Sequence, residues 1–206
     1  MKMTMKIFTL CAAVSLLSMS CLRTFPHTGS QTALLQSAVL VYDGGGHGSG
    51  IILNSTTILT AKHVAMDGDG PRQDLIVRDA AGGEHKVTGC RVSETADAAL
   101  LFVSPSLPDV RIAISANPGN LGDEVFCVGA PLDPNWTQYA VSGRIAKVDA
   151  PNSQWPHAVL IDAHLAPGCS GGPVFLDGKL YGICVGGEGL IVVILPVSEF
   201  LDLLAQ

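Results

Sequence analysis

Charge is scarce in this chain, and basic residues are scarcer than acidic ones. Only 15% of the 206 residues are charged, with 12 Lys and Arg against 18 Asp and Glu, for a formal net charge of -6. No run of Lys or Arg occurs, which argues against nucleic acid as a partner. Cys-x-x-Cys and His-x-x-x-His motifs are also missing, so the sequence predicts no metal site, and it implies no cofactor.

Apolar and turn-forming residues are abundant instead. The chain is 48% hydrophobic and contains 23 Gly and 12 Pro. This composition is too apolar for a disordered protein and favours a folded, turn-rich and β-rich one. The length suits one compact unit or two small fused subdomains.

The N-terminus has the pattern of a targeting segment. Two lysines in the first six residues precede an apolar run at 7–17, which is too short to cross a membrane comfortably. We expect a signal peptide at 1–21, a flexible segment at 22–33, and a mature protein outside the cytoplasm. Cys21 is either an ordinary residue near the cleavage site or the lipidated cysteine of a lipoprotein-type signal; an uncleaved anchor is a third alternative. Membrane contact is expected only through such a lipid or anchor.

Six cysteines are present, four of them in the expected folded part: Cys90, Cys127, Cys169 and Cys184. Their spacing matches no recognisable disulfide framework and allows three pairings. We therefore expect buried thiols.

Short apolar runs separated by turn residues predict strands throughout the chain. In the first half they lie at 38–42, 50–53, 57–61, 75–78, 84–92 and 98–103. After a proline-rich connector at 104–108 they lie at 111–114, 124–129, 138–148, 158–165, 174–176, 180–185 and 190–195.

The end of the chain, at 198–205, has helical spacing, with Ser198 as a candidate cap and Phe200, Leu201 and Leu204 on its apolar face. Many short strands followed by one helix predict an all-β fold. We expect two six-stranded antiparallel β-barrels, at 34–106 and 107–206, with a short C-terminal helix.

Three motifs carry the chemistry. Pro167-Gly168-Cys169-Ser170-Gly171-Gly172-Pro173 sets a serine between glycines, which allow backbone N–H groups to converge in front of its hydroxyl. Upstream stand Thr60-Ala61-Lys62-His63-Val64 and Ala96-Asp97-Ala98-Ala99. Each alone has an ordinary structural explanation, and the carboxylates Asp79, Glu84 and Glu94 compete with Asp97. Together they give the order His, Asp, Ser of one known catalytic triad.

With these motifs the chain resembles the trypsin-fold serine proteases, and it is most similar to the HtrA-like bacterial protease domain. Further matching stretches are Gly48-Ser49-Gly50-Ile51-Ile52-Leu53 and Val141-Ser142-Gly143-Arg144-Ile145. The resemblance covers about residues 35–200. It does not extend to a PDZ domain.

The resemblance implies a Ser-His-Asp triad of Ser170, His63 and Asp97, with backbone N–H groups of Gly168 and Ser170 as the oxyanion hole. It places the nucleophile at Ser170 and not at Cys169.

The resemblance also points to a substrate pocket near His164, Val185 and Gly187. No acid occupies its expected floor, which disfavours cleavage after Lys or Arg. His164 there either favours polar side chains or turns away and leaves an apolar pocket.

The expected function is that of an exported, monomeric serine endopeptidase that acts on polypeptides through an acyl-enzyme. A catalytically silent binding module on the same fold is the alternative. An esterase on this scaffold is a weaker one.

Overall fold

Inward-facing apolar side chains and tight turns build a first β-barrel. The computed structural model describes residues 31–151 and 154–205. The strands are β1 Ala38–Tyr42, β2 His47–Asn54, β3 Thr57–Thr60, β4 Met66–Asp67, β5 Gly70–Pro71, β6 Ile76–Arg78, β7 Glu84–Val92 and β8 Ala99–Ser104. Strands β4 and β5 form a separate short ribbon, and the others close an antiparallel barrel in the order β1-β2-β3-β8-β7-β6. The turn between β2 and β3 is held by Asn54, whose Oδ1 accepts the Thr56 N–H at 3.0 Å.

A second barrel follows. Its strands are β9 Glu124–Gly129, β10 Tyr139–Lys147, β11 Val159–Asp162, β12 Pro173–Leu176, β13 Lys179–Glu188 and β14 Ile191–Pro196. They close in the order β10-β11-β14-β13-β12-β9, and every neighbouring pair is antiparallel. The predicted all-β fold of two six-stranded antiparallel barrels is confirmed.

Helices are short. They are α1 Gln31–Ser37, α2 Lys62–Ala65 and α3 Leu201–Leu204, and a 3-10 turn, Val197–Phe200, leads directly into α3. Within residues 31–151 and 154–205, no helix is long and apolar enough to cross a membrane.

The predicted C-terminal helix is present, but its buried face differs from the prediction. Val197, Phe200 and Leu203 are buried, whereas Leu201 is 53% exposed. The reason is the 3-10 turn, which has three residues per turn and therefore aligns every third side chain.

Two other predictions are corrected. The segment at 111–114 is not a strand; it makes a single bridge, between Ile114 and Leu180. Residues 31–33, predicted as flexible, begin α1, which is anchored by the fully buried Leu34. The predicted signal peptide at 1–21 and residues 22–30 lie outside the described residues.

The two barrels share an apolar core. Ile51 and Leu59 of the first barrel belong to the same buried cluster as Phe175, Ile183 and Val185 of the second. Full burial of such a side chain stabilises the fold by about 1.5–3 kcal/mol. A separate cluster fills the interior of the second barrel. The shared core fixes the cleft between the barrels.

A buried pair of side chains, His85 and Asp79, closes the β6–β7 hairpin. His85 Nε2 lies 3.0 Å from Asp79 Oδ2 and His85 Nδ1 lies 2.8 Å from the Pro105 carbonyl, so both ring nitrogens face acceptors. Burial raises the pKa of Asp79. Hydrogen bonds from His85, Gly83 and Ala81 outweigh that effect and hold the pKa below its ordinary value of 3.8.

We expect Asp79→Ala to lower the free energy of unfolding at neutral pH by about 3–5 kcal/mol, because it leaves His85 buried without its carboxylate. The depressed pKa makes the contribution of Asp79 present above pH 3.8 and lost as the pH falls through the folded-state pKa. The deficit of the variant should therefore shrink in acid. Urea unfolding across pH measures this.

Glu84→Ala is the matched control, since it breaks the neighbouring ion pair with Arg78, in which the Glu84 side chain is 52% exposed. Glu84→Ala should lower the free energy of unfolding far less than Asp79→Ala does. An equal loss in both variants, or a deficit for Asp79→Ala that is independent of pH, would contradict the role given to Asp79.

Candidate active site

His63 and Asp97 are brought together by two loops of the first barrel. His63 lies in α2, directly after β3, and Asp97 lies between β7 and β8. The buried Ser93 organises the second loop, since its Oγ accepts the Ala96 N–H at 3.1 Å. Lys62 ties the loops together by donating to the Ser93 carbonyl at 3.1 Å.

The histidine is held at two points by one carboxylate. Asp97 Oδ2 lies 2.8 Å from His63 Nδ1, and Asp97 Oδ1 accepts the His63 backbone N–H at 3.0 Å. A carboxylate only accepts hydrogen bonds, so Nδ1 carries the proton and Nε2 keeps a free electron pair. The geometry therefore selects one tautomer of His63.

Asp97 is ionised at neutral pH. Burial raises the pKa of its carboxyl, but the hydrogen bond and charge of His63, its backbone N–H and a hydrogen bond from the Trp155 side chain together lower the pKa below the ordinary value of 3.8. Trp155 belongs to the second barrel, and its ring also packs against Gly186. Sequence reasoning missed Trp155 because no pattern links it to the loops of the first barrel.

Ser170 lies on the loop between β11 and β12, between two glycines in left-handed backbone conformations. Gly168 has φ of 100° and Gly171 has φ of 82°. A Cβ on Gly171 would lie 2.2 Å from Thr60 Oγ1, and one on Gly168 would lie 2.3 Å from the Ala130 carbonyl. Only glycine fits both the backbone angle and the space at these positions.

The peptide groups of this loop have a defined orientation. The Pro167 carbonyl accepts the Leu132 N–H at 2.7 Å, and the Cys169 carbonyl accepts the Gly172 N–H at 2.9 Å. In a trans peptide the N–H points opposite to the carbonyl. The N–H groups of Gly168 and Ser170 therefore point away from these partners.

His63 and Ser170 line one cavity of about 190 Å³. Its other walls come from the first barrel and include Tyr42, Asp43, His47, Val64 and Arg72. An ion pair between Arg72 and Asp43, at 3.1 Å, makes this side of the cleft polar.

On its other side Ser170 opens onto a cavity of about 250 Å³ in the second barrel. The cavity is lined by Leu165, Ala166, Pro167, Cys184, Gly186, Gly187, Gly189, Ile191 and Val192. No charged side chain is among these residues, so the cavity suits an apolar group.

Of the three predicted pocket residues, only Gly187 lines this cavity. His164 is exposed and lines a different cavity with Glu124 and Arg144, because the preceding Ala163 faces the barrel core. Val185 is 3% exposed and packs in the core shared by the barrels. Leu165, Ile191 and Val192 were missed, because the pairing that places β14 beside β11 has no local sequence signal.

Among the described residues, Cys90, Cys127, Cys169 and Cys184 are free thiols. Burial raises the pKa of Cys169, and it raises the pKa of Cys184 to about 12. Cys169 is 1% exposed, so it remains a protonated, enclosed thiol beside Ser170. In the part of the chain that the structure describes, no three His, Cys, Asp or Glu side chains are grouped as metal ligands.

Comparison with known proteins identifies the family. The trypsin-like peptidase domain matches residues 48–183, and the chain belongs to this family. No curated protein matches the chain.

Several solved structures share the fold. The active form of the Rv3671c protease from M. tuberculosis has a TM-score of 0.71 and 22% identity, over 85% of this chain and 82% of that one. The inactive form of Rv3671c also has a TM-score of 0.71 and 22% identity, over 84% of this chain and 90% of that one. The serine endoprotease from Yersinia pestis has a TM-score of 0.70 and 23% identity, over 86% of this chain and 66% of that one. Sequence identities of 22–23% show that these proteins share the fold of this chain and no more than the fold. Since active and inactive forms match equally, it does not distinguish the state of the site.

Proposed function

We propose that this trypsin-like protease is an exported serine endopeptidase that cleaves polypeptides through an acyl-enzyme on Ser170. The observation that carries the proposal is the His63–Asp97 hydrogen bond of 2.8 Å, on a histidine that shares a cavity with Ser170. A serine hydroxyl is a weak nucleophile, and a histidine held in one tautomer supplies the base it needs.

In the proposed reaction, Ser170 Oγ attacks the substrate carbonyl carbon while His63 Nε2 takes the hydroxyl proton. The electron pair of the carbonyl moves to its oxygen, and the Gly168 and Ser170 N–H groups stabilise that negative charge. Collapse of the intermediate breaks the C–N bond, and His63 returns the proton to the departing amine. Water, deprotonated by His63, then attacks the ester carbon; the bond from that carbon to Ser170 Oγ breaks, and His63 returns the proton to Ser170 Oγ. Asp97 stays ionised and stabilises the imidazolium.

The orientation of the loop between β11 and β12, which carries Ser170 and is called the nucleophile loop below, supports this activity. Both proposed oxyanion donors belong to peptides whose carbonyls are bonded on the opposite side, by Leu132 and Gly172. The donors are thus set before substrate arrives, and preorganisation of this kind is a large part of enzymatic rate enhancement.

We expect a fluorophosphonate probe to label the purified protein on Ser170, because the probe reacts only with an activated serine. Ser170→Ala should abolish labelling, whereas Ser198→Ala, at an exposed serine that lines neither cavity beside Ser170, should label like the wild type. Intact mass and peptide mapping give the readout. A folded wild type that stays unlabelled would contradict the proposal and favour the catalytically silent binding module.

The side chain before the cleaved bond is proposed to be apolar, because the cavity next to Ser170 has no charged wall. Burying the extra carbons of Leu over Ala adds roughly 2 kcal/mol, or about thirtyfold in kcat/KM. A series of peptide substrates differing only at that residue tests this. Faster cleavage after Lys or Arg than after Leu would contradict it. Ile191→Asp, which adds an acid to the wall, should shift the preference toward Lys.

Export is proposed from the N-terminal sequence, and the monomeric state is likewise a proposal. Mass spectrometry of the N-terminus of protein made in its host tests export. We expect cleavage near residue 21, with an acylated Cys21 in the lipoprotein variant of the proposal. A chain that keeps residues 1–21 and fractionates with cytoplasmic proteins would contradict export.

A further inference from the structure

Ser49 of the first barrel holds the nucleophile loop of the second. It lies on β2 and is completely buried. Its Oγ donates to the Gly168 carbonyl at 2.8 Å and accepts the Ala130 N–H at 3.0 Å. Its backbone N–H donates to the Ser170 carbonyl at 2.7 Å.

Four consecutive carbonyls of the loop accept hydrogen bonds, two from Ser49 and two from backbone N–H groups of other residues. The Pro167 and Cys169 carbonyls are held by Leu132 and Gly172, and Ser49 holds the alternate pair. The Gly168 carbonyl is the one of the four that is held by a side chain. Its peptide lies between the two proposed oxyanion donors.

The backbone angles of Gly168 are not restricted by a side chain of its own. Its φ is 100°, and without a Cβ it can adopt other backbone angles at low cost. The Ser49 hydroxyl compensates for this freedom. Ser49 itself is fixed, because Thr60 Oγ1 donates to its carbonyl at 2.7 Å.

The anchor of the hydroxyl on the second barrel is also fixed. Ala130, whose N–H binds Ser49 Oγ, has its carbonyl 2.9 Å from His47 Nε2. The Ser49 hydroxyl is therefore fixed both by the backbone of Ser49 and by the Ala130 N–H. Removing it would take the donor from the Gly168 carbonyl, whose peptide would still be held through the Cys169 N–H on the Ala166 carbonyl at 3.1 Å, and it would leave the Ala130 N–H without its acceptor.

We propose that Ser49 is a positioning residue that keeps the Gly168 N–H aimed at the oxyanion; this rests on the proposed function. It acts through Gly168 and does not touch substrate. Loss of the Ser49 hydroxyl should slow the chemical step, in which charge develops on the substrate oxygen, and leave substrate binding almost unchanged.

The test compares Ser49→Ala with Ser37→Ala in the full chain. Ser37 is a matched control, because it is equally buried and its Oγ also donates to a backbone carbonyl, that of Leu34, at 2.7 Å. Turnover of a peptide p-nitroanilide with Leu before the scissile bond gives kcat and KM. Thermal midpoints show how much stability each variant loses.

We expect Ser49→Ala to lower kcat by about tenfold or more with KM within about twofold of the wild type, since losing an oxyanion donor outright costs about 10²–10³ in kcat. The midpoint of the pH–rate profile should not move, because His63 and Asp97 are untouched. Ser37→Ala should keep the wild-type kcat at a similar loss of stability. If Ser49→Ala does not fold, Ser49→Cys carries the same comparison, since a thiol of similar size donates only weakly.

A Ser49→Ala enzyme with wild-type kcat would overturn the positioning role while leaving the proposed function intact. So would a decrease in kcat equal to that of Ser37→Ala. A change confined to KM would overturn it as well. A folded wild type that neither turns over the substrate nor reacts with the fluorophosphonate would overturn both proposals, so the two failures are distinguishable.

Discussion

The packing of one barrel against the other is the constraint on which the candidate site depends, because neither barrel holds all three residues of the proposed triad. His63 and Asp97 come from the first barrel and Ser170 from the second. The shared apolar core brings the barrels together, and the loop around Ser170 then has to fit against β2 and β3. The Cβ of a residue at 171 would overlap Thr60 Oγ1, and one at 172 would lie 2.4 Å from the Val128 carbonyl. Gly171 is thus required by the contact between barrels as well as by its backbone angle, and Gly172 is required by close packing against β9 of its own barrel.

Electrostatics then decides which side chain can react. Hydrogen bonds from His63 and Trp155 keep the pKa of Asp97 low in spite of its burial. Burial has the opposite outcome for Cys169 and Cys184, whose pKa values rise because desolvation outweighs the backbone hydrogen bonds at Ala166 and Gly186. The site therefore combines an ionised acid with protonated thiols. Ser170, which shares a cavity with His63, is left as the candidate nucleophile.

The sequence predicted what depends on local pattern. Short strands, the connector between halves and the order of the three motifs were enough for the two-barrel fold, and they named the residues that the structure gathers in the cleft. The errors arose where non-local pairing decides. The outward direction of His164 and the burial of Val185 depend on which face of a strand meets the other barrel. The 3-10 geometry at 197–200 shifted the buried face of the last helix, which a helical period could not anticipate. Trp155 reaches Asp97 from a loop with no motif of its own.

Both barrels matter for the proposed oxyanion hole, since its proposed donors lie on a loop of the second barrel whose Gly168 and Ser170 carbonyls are bonded by Ser49 of the first. A crystal structure of the protein with a peptide boronic acid tests this central claim most directly. We expect a bond from Ser170 Oγ to boron, with one boronate oxygen about 2.7–3.1 Å from the backbone nitrogens of both Gly168 and Ser170. We also expect the apolar side chain of the inhibitor in the cavity beside Gly187. An adduct whose oxygens turn away from these nitrogens, or a cleft that forms no adduct, would contradict this claim.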